Sequence, residues 1–189
     1  MILDTSVLIL LIESVLLGVK RADVIAKGQV VAERLRACES MVCYVSELSE
    51  LEFLRAGVAK TLATAEYRDT LGQNRPMDRL RELYKAILAD LEASGLKISI
   101  AMVEPSDMGK ALEIARRLGW DERNLRRKSF DIIILAQAVA RGVKVLTTDR
   151  DFLEIRGRAL PSSRKSDIMK AVGGLKVRFY EDDYVLYIG

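Results

Sequence analysis

The chain has 189 residues, half of them hydrophobic, with 30 Lys and Arg set against 27 Asp and Glu. That suits one domain with a sizeable core and excludes global disorder. The net charge of +3 tolerates a polyanionic partner without requiring one, and the absence of histidine excludes histidine acid–base catalysis, histidine-activated nucleophiles and histidine-containing zinc sites.

Residues 1–4 read as a short buried strand, with Thr5 or Ser6 placed to cap the apolar helix that follows. Asp4 and Glu13 interrupt the opening apolar run well short of a membrane span, and no basic leader precedes it. A helix over 20–38 carries Val24, Val31 and Leu35 on one face, and Met41 to Val45 is a second strand. Cys38 and Cys43 match no metal spacing and no disulfide framework, which fits a reducing, cytoplasmic setting. Ser46 is the expected N-cap of a helix through about Arg55, ended near Gly57. Two further helical patterns fill 58–95, broken at Gly72 to Pro76. Lys97 to Val103 is a third strand, and Pro105 opens a helix to Leu118.

RRLGWDERNLRRKS reads as a basic connection, after which Ser129 caps FDIIILAQAVARG, apolar nearly all round and so deeply buried. Val143 to Leu146 is a fourth strand running into TTDRDF. A polar segment (156–167) and a short helix follow, then two β-rich runs, Leu175 to Tyr180 and Tyr184 to Ile188, expected as a hairpin. Strands alternating with helices predict an α/β fold, a parallel sheet with helices on both faces. Sites in such sheets form beyond the carboxyl ends of the strands.

Asp4 and Asp149 each fall at such an end. Each alone has an ordinary explanation as a helix cap. Asp131 sits in the first turn of a buried helix, where a carboxylate suits the dipole; with Ser129 able to cap, Asp131 is left to point outward. Glu52 lies on the inward side of its helix, between Leu48 and Ala56, where an edge glutamate paired with Arg55 is nearly as good a reading. Together the four say more. Two carboxylates about 4 Å apart repel by roughly 4 kcal/mol at a surface-like dielectric, and several such pairs would consume much of a net stability of about 5–15 kcal/mol. Protonation or a divalent cation must relieve that repulsion. With oxygen ligands only, the cation indicated is Mg²⁺ or Mn²⁺ rather than zinc.

Ile-Leu-Asp-Thr-Ser at the start, Ser-Glu-Leu-Glu-Phe-Leu-Arg-Ala-Gly, Phe-Asp-Ile-Ile-Ile-Leu-Ala-Gln-Ala and Leu-Thr-Thr-Asp-Arg-Asp-Phe together resemble a PIN domain over residues 1–58 and about 97–155. The resemblance implies a three-layer PIN-like fold and a metal-dependent ribonuclease, a hydrolase with an acidic site of Asp4, Glu52, Asp131 and Asp149, and with Asp151 as a fifth carboxylate at the metal. Ser6 and Thr147 correspond to hydroxyls that hold the acids in place. Glu47 and Glu50 stay open as alternatives to Glu52. Two departures stand out within a single domain over 1–189: a helical insertion over 58–96, and a C-terminal extension over 156–189 holding the hairpin.

Arg123, Arg126, Arg127 and Lys128 lie just upstream of Asp131, where they could flank the site and hold RNA phosphates, or form a solvated loop. Trp120 could stack on a base, though packing is its commoner fate. The resemblance further implies a homodimer and, for the toxin type, an antitoxin partner. A catalytically inactive PIN-fold scaffold that binds RNA or protein is the alternative.

Overall fold

The centre of the parallel region is a strand of two residues, β1 (Ile2–Leu3), both with no exposed surface. The computed structural model describes residues 1–16, 21–36, 42–63, 76–117, 120–149, 168–172, 175–182 and 185–188. After β1 come α1 (Thr5–Leu11), prolonged by one π-helical turn (Ile12–Leu16), then α2 (Ala22–Arg36), β2 (Val42–Ser46) and α3 (Leu48–Ala63). The chain continues through α4 (Pro76–Ala93), β3 (Lys97–Ala101), α5 (Pro105–Arg117), α6 (Glu122–Arg127), α7 (Ser129–Arg141) and β4 (Val145–Thr147). It closes with β5 (Ile168–Val172), β6 (Leu175–Asp182) and β7 (Val185–Ile188).

The sheet order is β3-β2-β1-β4-β7-β6-β5. The first four strands are parallel, with Ile2 and Leu3 opposite Tyr44 and Val45 on one side and Val145 and Leu146 on the other. β7 joins β4 antiparallel, and β6 and β5 follow antiparallel in turn. The sheet is therefore mixed, and Ile168–Val172, expected as a short helix, is a strand paired with β6.

Alternation along the strands builds two cores. Leu3, Cys43, Val45 and Leu146 face one, filled by α1 to α4 through residues such as Leu8, Val31, Phe53 and Ile87. Ile2 and Val145 face the other, filled by Ala111 and Ile114 of α5 and by Ile132, Leu135 and Ala138 of α7. The layers are helix, sheet, helix: the α/β fold that the alternation of elements predicts. Trp120 packs against the second core. No helix of the described residues is long and apolar enough to cross a membrane.

Gly57 does not end α3, which runs on to Ala63. A Cβ there would lie 2.5 Å from Leu80 Cδ2, so the missing side chain lets α4 approach α3 closely. Thus Gly57 acts as a contact between helices. By contrast, Gly142 does terminate α7, in the left-handed conformation at φ 62°.

Candidate active site

The carboxyl ends of β1 and β4 are adjacent because the two strands pair, and Asp4 N–H extends the ladder to Leu146 O at 3.0 Å. Asp4 leaves the strand in extended geometry and is itself the N-cap of α1, the position expected for Thr5 or Ser6. Its Oδ2 accepts from Ser6 N–H at 3.3 Å, Ser6 Oγ at 2.5 Å and Thr147 Oγ1 at 2.7 Å. Each hydroxyl is held in turn by a backbone amide, Thr148 N–H on Ser6 Oγ and Asp149 N–H on Thr147 Oγ1, both at 3.0 Å. Ser6 and Thr147 thus tie Asp4 to the turn that carries Asp149. Burial pushes the Asp4 carboxyl up from its ordinary value against the pull of the two hydroxyls, and the Asp149 charge adds to the rise.

Glu52 lies on α3, whose start follows β2 and is fastened by a bond from Leu48 N–H to Ser46 Oγ. Burial pushes its carboxyl up most; the charges of Asp4 and Asp149 act in the same direction, while Thr5 and Arg55 oppose them. Those mutual effects bring Asp4, Glu52 and Asp149 into one electrostatic neighbourhood. Thr5 is near enough to favour the charged glutamate yet short of hydrogen-bond geometry, since Thr5 Oγ1 and Glu52 Oε2 are both buried without a partner. The neighbouring glutamates are engaged elsewhere. Glu47 Oε1 accepts from Val103 N–H at 2.5 Å, and Glu50 Oε1 lies 3.6 Å from Arg81 Nε.

Asp131 sits in the first turn of α7 and is buried, only 8% exposed. The N-cap position is Lys128 and makes no side-chain cap bond; Ser129 is already helical. Arg55 Cζ stands 5.3 Å from the Phe130 ring centroid, which draws the first turn of α7 toward the Glu52 turn of α3. Asp151 lies outside the described residues. Among those residues, no three acids or cysteines come close enough together to hold one metal ion.

The expected basic connection contains a short helix, α6, capped by Asp121, which accepts from Asn124 N–H at 2.8 Å. Arg123, Arg126 and Arg127 are exposed on it, Arg126 against Glu122 at 2.6 Å. Lys128 does not join them: at 2% exposure it is buried and presents no ammonium to a passing phosphate. Sequence reading also passed over Gln137, fully buried, whose Nε2 donates to Ala101 O and Met102 O at 3.1 Å and fixes the end of β3. A single glutamine in an otherwise apolar helix was the available sign. Thr5 entered the sequence reading only as a cap.

The donor set is all oxygen, the acids act on one another, and Glu52 Oε2 is buried without a partner. This chemistry fits a hard divalent cation. Comparison with known proteins gives a match to the PIN domain over residues 1–158. No curated protein is found to match the chain. With the match spanning both core layers and the turns bearing Asp4, Glu52, Asp131 and Asp149, the chain belongs to the PIN domain family, whose members are generally nucleases.

Proposed function

We propose that this protein is a Mg²⁺- or Mn²⁺-dependent endoribonuclease. The observation that carries the reading is the placing of Asp4 and Asp149 at the adjacent carboxyl ends of β1 and β4, tied together through Ser6 and Thr147, with a buried, unpartnered carboxylate oxygen of Glu52 on α3. Asp4, Glu52, Asp131 and Asp149 are the residues that would hold the cation, with Asp151 as a further ligand. When bound there, a divalent cation activates water toward phosphorus and offsets charge gathering on the phosphate oxygens. Ser6 and Thr147 hold the Asp4 carboxylate, and Arg123, Arg126 and Arg127 on α6 offer their charges to the RNA backbone. The products would be a 5′-phosphate and a 3′-hydroxyl. A role as the toxin of a toxin–antitoxin pair, as a cytoplasmic homodimer bound by its antitoxin, extends the same proposal.

Purified protein with Mn²⁺ should cut single-stranded RNA, and EDTA should stop it. Asp149→Asn should keep the fold and lose most activity, because Asn preserves size but not the charge that retains the cation. RNA cutting that survives both EDTA and Asp149→Asn overturns the reading. The second reading is a scaffold that binds RNA or protein without cleaving, favoured by the lack of a three-acid metal cluster among the described residues. It predicts RNA binding indifferent to Mn²⁺ and no product at any metal concentration.

A further inference from the structure

Glu52 and Arg55 stand one turn apart on α3, the spacing at which a glutamate and an arginine commonly pair. They do not pair. Glu52 Oε2 is buried without a partner, and among the described residues Arg55 makes no hydrogen bond or ion pair. Other arginines take carboxylates: Arg79 meets Glu82 at 2.8 Å, Arg81 meets Glu50 at 3.6 Å, Arg126 meets Glu122 at 2.6 Å and Arg141 meets Asp107 at 3.6 Å. Arg55 instead carries its guanidinium to the ring of Phe130, with Cζ 5.3 Å from the centroid, inside the range of a cation–π contact.

That contact sets where the charge sits. Glu52 lies one turn before Arg55 on α3, and Phe130 is followed directly by Asp131 in the first turn of α7. Arg55 is exposed, so a solvent-facing cation stands where the two acid-bearing helices meet. Seated on a ring, a guanidinium keeps its N–H donors at its own rim, a planar fork that matches two oxygens of a phosphate. The ring also restrains the side chain, so less freedom is lost when a phosphate is bound. A polyanionic strand approaching the carboxylates is repelled by them, and a cation already placed beside them offsets part of that repulsion. We propose that Arg55, seated on Phe130, is a substrate-binding residue that holds a backbone phosphate of single-stranded RNA beside the acids of the site. The inference rests on the RNA substrate of the reading above, not on how many acids hold the cation.

The test is a salt series of single-stranded RNA binding to the full chain carrying Asp149→Asn, run beside Mn²⁺-dependent cleavage kinetics without that substitution. Arg55→Gln should weaken binding about tenfold and lower the slope of log affinity against log salt by about 0.7. In the cleavage assay it should raise KM and leave kcat little changed. Arg55→Lys should keep the slope and still lose several-fold in affinity, because the charge remains while the fork and its seat do not. Phe130→Leu should weaken binding too, but not in a protein that already carries Arg55→Gln. Both Arg55 variants should melt within about 2 °C of wild type, as substitutions at an exposed position do. Unchanged affinity and slope in Arg55→Gln overturns the inference, and leaves the nuclease reading standing where wild type cuts RNA. An equal effect of Phe130→Leu with and without Arg55 overturns the seat on the ring. A flattened slope in a protein that never cuts RNA supports Arg55 and overturns the nuclease reading; if the protein binds no single-stranded RNA, both fall.

Discussion

Two parts of the candidate site hold their carboxylates in opposite ways. At the junction of β1 and β4, Asp4 Oδ2 accepts three hydrogen bonds, and the donating hydroxyls are themselves held by backbone amides. On α3, Glu52 Oε2 is buried and accepts none. Both carboxyls are shifted upward, with burial as the chief cause in each. Asp4 is built into the fold, as a helix cap and as a bridge between strands. Glu52 is presented by the fold but not fastened by it. In the proposed nuclease, one acid is a fixed anchor and the other completes its contacts when the cation arrives.

The largest expected effect would leave the two ends alike. Asp4→Asn and Glu52→Gln should each slow Mn²⁺-dependent cleavage by roughly 10³-fold, the equivalent of about 4 kcal/mol of lost charge stabilisation. Melting in EDTA should then separate them. Glu52→Gln removes a charge whose buried Oε2 has no hydrogen-bond partner and should raise the melting temperature; Asp4→Asn also disturbs three donors and should raise it less or lower it. Equal shifts would erase the distinction.

Thr147→Val strikes only the fastened end. It takes one donor from Asp4 and leaves Asp149 N–H without its acceptor, so it should cost about 1–3 kcal/mol. For a chain of this size each kcal/mol lowers the melting temperature by roughly 2–4 °C. Thr5→Val, at the unfastened end, should show no such loss.

A pH series without metal gives a smaller effect of definite sign. The native carboxyls of Asp4 and Glu52 hold their protons above the ordinary 3.8 and 4.5. The native state therefore binds more protons than the unfolded chain between those values and its own, and these two groups make stability fall as pH rises through that window. Acidification from neutrality should narrow the melting difference between wild type and Glu52→Gln. Saturating Mn²⁺, which competes with the protons, should flatten the dependence.

The smallest effect concerns α6, which lies outside the comparison and should leave it intact. Neutralising Arg123 and Arg127 should flatten the salt dependence of RNA binding by about 0.7 per lost phosphate contact. Mn²⁺ affinity should not move. An unchanged slope would make the exposed arginines of α6 a solvated surface.

Much of the architecture follows from residue order alone. Two-sided burial writes a parallel strand as a continuous apolar run, so Ile2–Leu3 and Val145–Leu146 were legible, as were the helices carrying Val31 and Leu135. Strand ends are legible too, because an acid at or just past the end of an apolar run marks where a buried strand stops; Asp4 and, two threonines beyond Leu146, Asp149 stood out for that reason. Glycine was ambiguous, since the same residue ends a helix at Gly142 and admits Leu80 at Gly57, and only the neighbouring helix decides between them. Lys128 reads like its arginine neighbours until α7 buries it. Glu47 and Glu50 meet partners from distant sequence, Val103 for one and Arg81 for the other, which no local pattern shows. Local sequence fixes which element a residue joins, through periodicity and capping. Which oxygen meets which donor depends on chain segments more than a hundred residues apart, such as Asp4 and Thr147, and only tertiary packing brings those together.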